Sequence, residues 1–242
     1  MRIYSLIIIA IIGCISCAKE DGVCFKSIGN DSNKTIQLQH FNRIEIYDKI
    51  DIDIYRSQEN KAIVFSGENI IDGIELDISN KTLTVADNNT CHWLRSLKKK
   101  PRVELYLDSL ESILFYGAGN LNAKDTIPSN VIYIEAWEGS GDINFLSNAQ
   151  EIYLKSHTGV SHFEIKGTCN SLYLYNNTYA QFKAKDLISK QCHVASIGNG
   201  DISVFASDKL SIDQTGYSII EYNASVNELN IIEHQNGELI PY

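Results

Sequence analysis

The sequence predicts an all-β protein, a single-stranded parallel β-helix (β-solenoid) with an N-terminal β-hairpin region. The first observation is an internal repeat of 20 residues, in which Tyr133, Tyr153, Tyr173 and His193 fall in one column. The second is the alternation of apolar and polar residues within each repeat, which is typical of a strand with one buried face. The third is a set of glycine, asparagine and aspartate residues after each strand, which favour corners. Together they indicate that each repeat is one coil of a solenoid.

The predicted inner side of the coils is aliphatic. Ile134, Leu154, Leu174 and Val194 follow the column residues directly in the sequence. A single coil cannot bury these side chains, so the coils must stack, which places equivalent residues about 4.8 Å apart. Each fully buried aliphatic side chain then contributes roughly 1.5–3 kcal/mol. The predicted solenoid domain spans residues 34–242, and its repeats are clearest over 110–242.

The tyrosine and histidine column is predicted to face outward. It has two interpretations: cross-strand stacking on a solvent-facing surface, or a platform that binds a ligand. The next outward position carries Glu135, Lys155 and Tyr175, and such a patch can bind sugar by stacking and hydrogen bonding. The candidate ligand-binding residues of this second interpretation are Tyr133, Tyr153, Tyr173, His193 and Tyr175.

Residues 1–16 are predicted to be a lipoprotein signal peptide. Met1 and Arg2 precede an apolar run over 3–15, which is too short to span a bilayer and suits a secretory signal. Small residues around Cys17 resemble a bacterial lipobox, so Cys17 is predicted to be the lipidated first residue of the mature protein. Ordinary signal cleavage near Ala18 is the alternative. A multiply acylated cysteine forms a stable membrane anchor.

Residues 17–33 are predicted to be a lipidated tether and linker. Lys19, Glu20 and Asp21 follow the cysteine closely, and this resembles the surface-export signal of some Gram-negative lipoproteins. A solvated charged tether is the alternative interpretation. The expected location is the outer membrane, with the membrane as a partner through Cys17 and the domain exposed at the cell surface.

The region between the tether and the repeats is predicted to form short strands. Residues 74–78 and 83–85 alternate around a turn and predict a hairpin. The chain's basic cluster, from Arg95 to Arg102, is predicted to lie in a loop. It is interpreted either as a solvated run or as a contact for anionic lipid or polysaccharide.

Composition and motifs narrow the function classes. The net charge of −9 argues against a nucleic-acid partner, because that role needs a basic face. No cofactor is predicted. His157 and His162 flank one corner without a third ligand, so no metal site is predicted. Paired carboxylates of the kind that glycosidases use are not evident on the predicted outward face, so no catalytic residue is predicted.

Several short motifs resemble one known family when they are taken in order. They are Phe41-x-x-Ile44, Ser66-Gly67-Glu68-Asn69, the turn around Gly117-Ala-Gly119-Asn120, Gly139-Ser-Gly141-Asp142-Ile143, Gly198-Asn-Gly200-Asp201-Ile202 and Gly216-x-x-Ile219-x-x-Tyr222. On these motifs the chain, over roughly 34–241, resembles the putative auto-transporter adhesin, head GIN domain family. The resemblance implies a secreted or surface β-solenoid, often on a lipoprotein, without established catalytic residues. The chain departs from the pattern at Thr158-Gly-Val-Ser161 and Asn177-Thr-Tyr179-Ala180, where bulkier corners are expected.

Four cysteines remain after the signal peptide and Cys17, namely Cys24, Cys91, Cys169 and Cys192. They allow three pairings. Cys169 and Cys192 lie near equivalent points of adjacent predicted coils, so a disulfide between them is one expectation. The other is that Cys192, which shares a column with Ile152 and Leu172, is a small buried apolar residue.

Three functional hypotheses follow in order of preference. The first is a surface-anchored outer-membrane lipoprotein whose non-catalytic solenoid acts in adhesion or binds a glycan or protein ligand of the envelope or a host. The second is a structural or assembly component of the envelope without a soluble ligand. The third is a polysaccharide-active enzyme.

The predicted anchor and orientation can be tested on intact cells. We expect externally added protease to remove the domain from cells that carry the wild-type chain, because the anchor at Cys17 leaves the domain outside the outer membrane. Immunoblotting of the treated cells measures the loss. Resistance of the anchored domain to protease would show that the outward orientation is wrong.

Overall fold

The computed structural model describes residues 27–90 and 100–242, and it is a β-solenoid, as the sequence predicts. Eighteen strands form one continuous hydrogen-bonded sheet, whose two sides, called here the first and the second sheet, enclose one apolar core. The part of the chain that the structure describes contains no helix that could cross a bilayer.

In chain order the strands are β1 (Asp31–Gln37), β2 (Arg43–Ile46), β3 (Asp51–Arg56), β4 (Lys61–Gly67), β5 (Ile74–Ser79), β6 (Thr82–Asp87), β7 (Arg102–Leu107), β8 (Ser112–Phe115), β9 (Leu121–Ala123), β10 (Val131–Ala136), β11 (Asp142–Ser147), β12 (Glu151–Ser156), β13 (His162–Asn176), β14 (Phe182–Ser196), β15 (Ile202–Gln214), β16 (Ile219–Tyr222), β17 (Glu228–His234) and β18 (Glu238–Pro241).

The two sheets run the length of the solenoid. The first contains β5, β6, β2, β8, β10 and β12, then the C-terminal halves of β13, β14 and β15, and finally β17. The second contains β1, β4, β7, β3, β9 and β11, then the N-terminal halves of β13, β14 and β15, and finally β16 and β18. All pairings beyond β7 are parallel, because each coil contributes one strand to each sheet in the same direction.

The register of the first sheet confirms the 20-residue repeat. Ile134 pairs with Leu154, Leu154 with Leu174, and Leu174 with Val194. All four side chains are fully buried. The next partner of Val194 is Ile212, so this coil takes 18 residues rather than 20. The stacked aliphatic side chains form the predicted continuous core.

The N-terminal region is more closely integrated with the solenoid than a row of hairpins would be. The hairpin of β5 and β6 is present as predicted. Strands β2 and β3, however, form a parallel coil of their own, with β2 between β6 and β8 and β3 between β7 and β9. The spatial order of these coils therefore differs from their order in the chain. Ile44 pairs with Leu83 on one side and Ile113 on the other, which continues the core without a break.

The second corner of the later coils is a bend within a strand. Strands β13, β14 and β15 continue through it for 15, 15 and 13 residues. A shift of register in β13 falls between Glu164 and Gly167, and Gly167 has a φ of 121°. A backbone angle in this region favours glycine, so the strand turns there without leaving its ladder.

The first corner is built from small residues that touch across coils. A Cβ atom on Gly141 would lie 1.6 Å from the carbonyl oxygen of Gly119 in the preceding coil. A Cβ atom on Gly200 would lie 1.9 Å from the carbonyl oxygen of Ala180. Ser161 occupies the corresponding place between them in the chain. The corners therefore stack closely only because their side chains are small or absent.

Buried polar side chains fix the same corner from inside. Asn176 donates hydrogen bonds to the carbonyl oxygens of Ala180 at 3.1 Å and Gly200 at 3.2 Å, and it accepts one from the Thr178 N–H at 3.1 Å. The hydroxyls of Ser156 and Thr178 lie 2.8 Å apart. These bonds satisfy backbone groups that would otherwise be buried without partners. The bulkier corner expected at 177–180 is thus accommodated by inward hydrogen bonding of Asn176 and Thr178.

The stacked corner generates a stability prediction. We expect Gly141→Ala to lower the free energy of unfolding by at least about 2 kcal/mol, because the new methyl group overlaps the Gly119 carbonyl oxygen. Denaturant unfolding followed by circular dichroism measures the change.

Ser161→Ala is the matched control for this substitution. The Ser161 hydroxyl is buried without a hydrogen-bond partner among the described residues, so its removal should leave stability unchanged or slightly higher. Equal stability of Gly141→Ala and wild type would contradict the close approach of the coils.

Candidate functional site

The predicted tyrosine column exists on the outer face of the first sheet. Tyr133 pairs with Tyr153, Tyr153 with Tyr173, and Tyr173 with His193. Their ring centroids are separated by 4.6, 6.0 and 5.3 Å in that order. Two of the three contacts are stacked, and the Tyr153–Tyr173 contact is tilted by 42°. The column therefore forms a continuous stack along the solenoid axis.

Stacking changes what this column can offer a ligand. The faces of Tyr153 and Tyr173 lie against neighbouring rings, so those faces are occupied by the column itself. Ring edges and hydroxyl groups remain for contact with a ligand. The Tyr153 hydroxyl donates to Glu151 at 2.9 Å, and this hydrogen bond, with burial, raises the pKa of Tyr153. The column is thus a source of hydrogen bonds more than of open stacking surfaces.

A charged cluster lies beside the column at the next outward position. Glu135 accepts a hydrogen bond from the Lys155 ammonium group at 3.0 Å, and its other oxygen lies 3.0 Å from Nε2 of His157. Burial acts to raise the pKa of Glu135, but hydrogen bonds and charge from Lys155 and His157 outweigh it. The pKa of Glu135 is therefore below its ordinary value of 4.5. The carboxylate stays ionised at neutral pH.

Trp137 joins this cluster, although the sequence analysis did not place it there, and Tyr175 lies in the cluster as predicted. The indole of Trp137 stacks on the imidazole of His157, with centroids 3.8 Å apart and planes 13° from parallel. His157 also contacts Tyr175, with centroids 5.5 Å apart. The sequence does contain the information that predicts this contact: Trp137 and His157 are 20 residues apart and therefore share a column. We call the whole surface the aromatic face; its residues are Tyr133, Tyr153, Tyr173, His193, Tyr175, Trp137 and His157.

A row of exposed apolar side chains follows the aromatic face at the first corner. Tyr179 and Tyr217 are 67% and 69% exposed, and neither ring stacks on another aromatic ring among the described residues. They lie two coils apart, which corresponds to roughly 10 Å along the axis. Asn199 lies between them and accepts a hydrogen bond from the Tyr217 N–H at 3.3 Å. We call this row the exposed corner; its residues are Val160, Tyr179, Ile197 and Tyr217.

The outer face of the second sheet is polar around β11 and the N-terminal halves of β13 and β14. Two shallow clefts there have volumes of about 150 and 230 Å³, and Gln181 and Lys183 line both of them. Pockets that enclose small molecules usually hold roughly 300–1,000 Å³. His162 lines the first cleft with Glu164 and belongs to the second sheet, whereas the His157 cluster lies on the first. No group of three metal-ligating side chains occurs within 27–90 and 100–242.

Cys169 and Cys192 are buried free thiols in this structure. Cys169 pairs with Ser189 and Cys192 with Leu172, so each has a different direct neighbour on the adjacent strand. Burial raises the pKa of Cys169 to about 12 and also raises the pKa of Cys192. Both thiols are therefore protonated at neutral pH, which slows oxidation. The disulfide between them stays a prediction, which free-thiol counting on the denatured protein decides.

Some predicted features lie outside the described residues. They are the signal peptide over 1–16, the lipidation site Cys17, most of the 17–33 tether, the cysteines Cys24 and Cys91, and most of the basic cluster. Of that cluster, Lys100 and Arg102 are described, and Arg102 begins β7 instead of lying in the predicted loop. Lys100 lies 3.5 Å from Asp51, and Arg102 contacts Asp53 at 3.3 Å and Glu104 at 2.5 Å. These two cations are thus paired with acidic side chains of β3 and β7.

Comparison with known proteins supports the assignment of the fold and the family. The family model described as "Putative auto-transporter adhesin, head GIN domain" matches residues 40–225. No curated protein matches the chain.

Solved structures share the architecture at low sequence identity. A "putative adhesin" from Bacteroides fragilis is 20% identical with a TM-score of 0.76, over 83% of this chain and 92% of that one. A "putative lipid binding protein" from Parabacteroides distasonis is 17% identical with a TM-score of 0.60, over 85% and 98%. A "putative adhesin" from Parabacteroides merdae is 16% identical with a TM-score of 0.56, over 84% and 94%. At these identities the likeness shows the fold.

The Glu135 cluster gives a pH prediction. Because the folded-state pKa of Glu135 is lowered, its ionised form stabilises the fold above its ordinary pKa, and this contribution is lost as pH falls through the lowered value. We expect Glu135→Gln to be less stable than wild type at pH 7, with the difference shrinking steadily below about pH 4.5. Urea unfolding across this pH range measures it. A difference that does not change with pH would contradict the ion pairing.

Proposed function

This chain belongs to the family described as "Putative auto-transporter adhesin, head GIN domain", and from that premise we propose that it is a non-catalytic recognition module anchored at the cell surface. Its ligand in this proposal is a glycan that lies along the aromatic face and the exposed corner. The observation that carries the proposal is the concentration of aromatic rings and polar groups along one long side of the solenoid.

The two parts of this surface have complementary chemistry. The exposed corner has open tyrosine rings, and apolar sugar faces pack on such rings. The aromatic face has tyrosine hydroxyls and the Glu135–Lys155–His157 cluster, which supply donors and acceptors for sugar hydroxyls. A ligand that spans both parts gains stacking at the corner and hydrogen bonds on the face.

The shape of the surface favours an extended ligand. Equivalent side chains recur at every coil, about 4.8 Å apart, and the open rings of Tyr179 and Tyr217 recur at roughly 10 Å. The clefts on the second sheet are too small to enclose a sugar chain. A polysaccharide strand parallel to the solenoid axis meets this regular surface more completely than a compact ligand does.

The charges of the site favour binding over catalysis. A glycosidase needs a carboxylic acid that stays protonated near neutral pH, together with a second carboxylate. Glu135 has its pKa lowered by Lys155 and His157, after the opposing effect of burial, so it is a poor proton donor. Its ion pairs instead hold the side chains of the aromatic face in place.

Anchoring at the outer membrane is part of the proposal and rests on the sequence. Cys17 follows an apolar signal segment and small residues, as in bacterial lipoproteins, and multiple acyl chains there hold a protein on a membrane. The linker before Asp31 then leads into β1, at the N-terminal end of the second sheet. In this arrangement the long side of the solenoid stays free for ligand.

Two sets of substitutions separate the roles of the face and the corner. Tyr133→Phe, Tyr153→Phe and Tyr173→Phe together keep the ring stack but remove its hydroxyls. Tyr179→Ser and Tyr217→Ser together remove the open rings. We expect the corner variant to bind roughly tenfold more weakly or worse, and the face variant to lose several-fold, on an array of plant, fungal and mucin-type glycans followed by titration calorimetry.

Tyr242→Ser is the control outside this surface: Tyr242 is 53% exposed, and its hydroxyl donates to the carbonyl oxygen of Val204 at 3.2 Å. Circular dichroism should be the same for all variants. Undiminished glycan binding by both multiple variants would reject the proposed surface. Absence of glycan binding by wild type, together with cross-linking to envelope proteins in cells, would favour the envelope-assembly alternative.

A further inference from the structure

A second column of rings runs along the first sheet where its strands enter the first corner. Its members lie on successive strands, as the backbone hydrogen bonds from each strand to the next show: Tyr47, Tyr116, Trp137 and His157. Tyr47 and Tyr116 are stacked, with centroids 4.8 Å apart and planes 2° from parallel. Trp137 is stacked on His157 at 3.8 Å. The column therefore consists of two stacked pairs.

The two pairs do not join. Among the residues that the structure describes, Tyr116 and Trp137 make no ring contact with each other, although β8 and β10 are adjacent. Strand spacing does not impose this, because Tyr133 and Tyr153 stack at 4.6 Å on the next pair of strands. We call the interruption the ring gap; its residues are Tyr116 and Trp137.

Each ring of the gap has one face that no neighbouring ring covers. Tyr47 covers Tyr116 from one side, and His157 covers Trp137 from the other. The two remaining faces are those on the side of the gap. Trp137 is 38% exposed, so a ligand can reach this place from solvent. The gap therefore offers the open aromatic faces that the Tyr133–His193 column lacks.

Three carboxylates lie around the ring gap. Glu45 and Glu135 flank Leu114 on its two neighbouring strands, and Leu114 is two residues before Tyr116. Glu138 directly follows Trp137 in the sequence. Burial raises the pKa of the Tyr116 hydroxyl, and the charges of these three carboxylates raise it further, which agrees with their positions near the ring.

Two of the three carboxylates have no cation beside them. Glu135 is paired with Lys155 at 3.0 Å. Glu45 accepts a hydrogen bond from the Tyr47 hydroxyl at 3.1 Å, which adds no positive charge. Neither Glu45 nor Glu138 forms an ion pair with another described residue. Open ring faces and unpaired negative charge both attract a cation, so the gap has two independent features of a cation-binding site.

A protonated primary amine is the cation that fits these groups. A metal ion does not fit, because no group of three metal-ligating side chains occurs in the described ranges 27–90 and 100–242. A quaternary ammonium has no N–H and cannot donate to carboxylates. A primary ammonium has three donors, which the carboxylates of Glu45 and Glu138 and the hydroxyl oxygen of Tyr116 can accept while its charge lies against a ring.

We propose that the ring gap, with Glu45 and Glu138, binds the protonated amine of an amino sugar; we call these four residues the amine site. The inference rests on the proposed function, since it names the class of sugar in the glycan. Trp137 and His157 belong both to this column and to the aromatic face, so a glycan on the aromatic face continues directly to the gap. The groups are partly exposed, and the expected preference for an amine is therefore roughly fivefold.

Titration calorimetry with two glycans that differ only in their amines tests the proposal. The probes are the tetramer of glucosamine and the tetramer of N-acetylglucosamine, at about pH 5.5, where amines are protonated and carboxylates are ionised. We expect wild type to bind the glucosamine tetramer roughly fivefold more tightly. Glu45→Gln combined with Glu138→Gln should remove this preference.

Glu221→Gln combined with Glu238→Gln is the matched control. It removes the same charge from exposed positions of β16 and β18 on the second sheet, so it separates the amine site from the general attraction of an acidic protein for a polycation. This variant should keep the preference of wild type. Circular dichroism confirms that both double variants are folded.

A second readout uses methylammonium alone and follows the indole N–H signal of Trp137 by NMR. The chain has two tryptophans, and Trp93→Phe assigns the two signals. We expect methylammonium to shift the Trp137 signal in wild type and in the control, and to leave it in place in the Glu45→Gln, Glu138→Gln variant.

The outcomes separate this inference from the proposed function. Equal affinity of wild type for both tetramers would reject the amine site and leave glycan binding in place. Equal loss of preference in the two double variants would assign it to net charge and also reject the site. No binding of either tetramer and no response to methylammonium would reject the site whatever other glycans bind. A specific methylammonium response without binding of any glycan would keep the site and reject the glycan as its ligand, and with it the proposed function.

Discussion

The close contact between backbones of successive coils at the first corner is the constraint on which this structure depends. At Gly141 and Gly200 the space for a side chain is filled by a carbonyl oxygen of the coil before. The strands on either side can keep their parallel register only if the corners stack at the strand spacing of about 4.8 Å. Buried hydrogen bonds from Asn176 then satisfy the corner's backbone, and the aliphatic columns fill the interior.

The strand spacing of about 4.8 Å also determines which ligands the outer surface can bind. Side chains in one column are close enough for aromatic rings to cover each other, as Tyr153 is covered by Tyr133 and Tyr173. A regular column is thus good at holding strands together and offers few open ring faces. Open ring faces occur at Tyr179 and Tyr217 on the corner, because the residue between them in the stack, Asn199, is not aromatic. The combination suits recognition of a long, repetitive ligand better than enclosure of a small one.

The repeat in the sequence was sufficient to predict the solenoid, its core column and the outward tyrosines, because all of these follow from local alternation and a fixed period. The position of β2 between β6 and β8 was not predictable, since Ile44 fits equally well against any aliphatic column. The Trp137–His157 contact followed the same period but had been hidden by reading His157 as a partner of His162. The closeness of Glu135 to both Lys155 and His157 depends on side-chain conformations that the sequence does not specify.

Distances between pairs of spin labels, measured by double electron–electron resonance, test the stacked register most directly. Ala118, Asn199 and Tyr217 lie at equivalent points of the first corner, as their backbone hydrogen bonds to preceding coils show. Asn199 is four coils and Tyr217 five coils from Ala118, which corresponds to roughly 19 and 24 Å. The labels are placed at 118 and 199, and then at 118 and 217, on a chain whose native cysteines are replaced by alanine. We expect the second distance to exceed the first by about 5 Å. Equal distances, or a second distance shorter than the first, would contradict a solenoid that advances one strand spacing per coil.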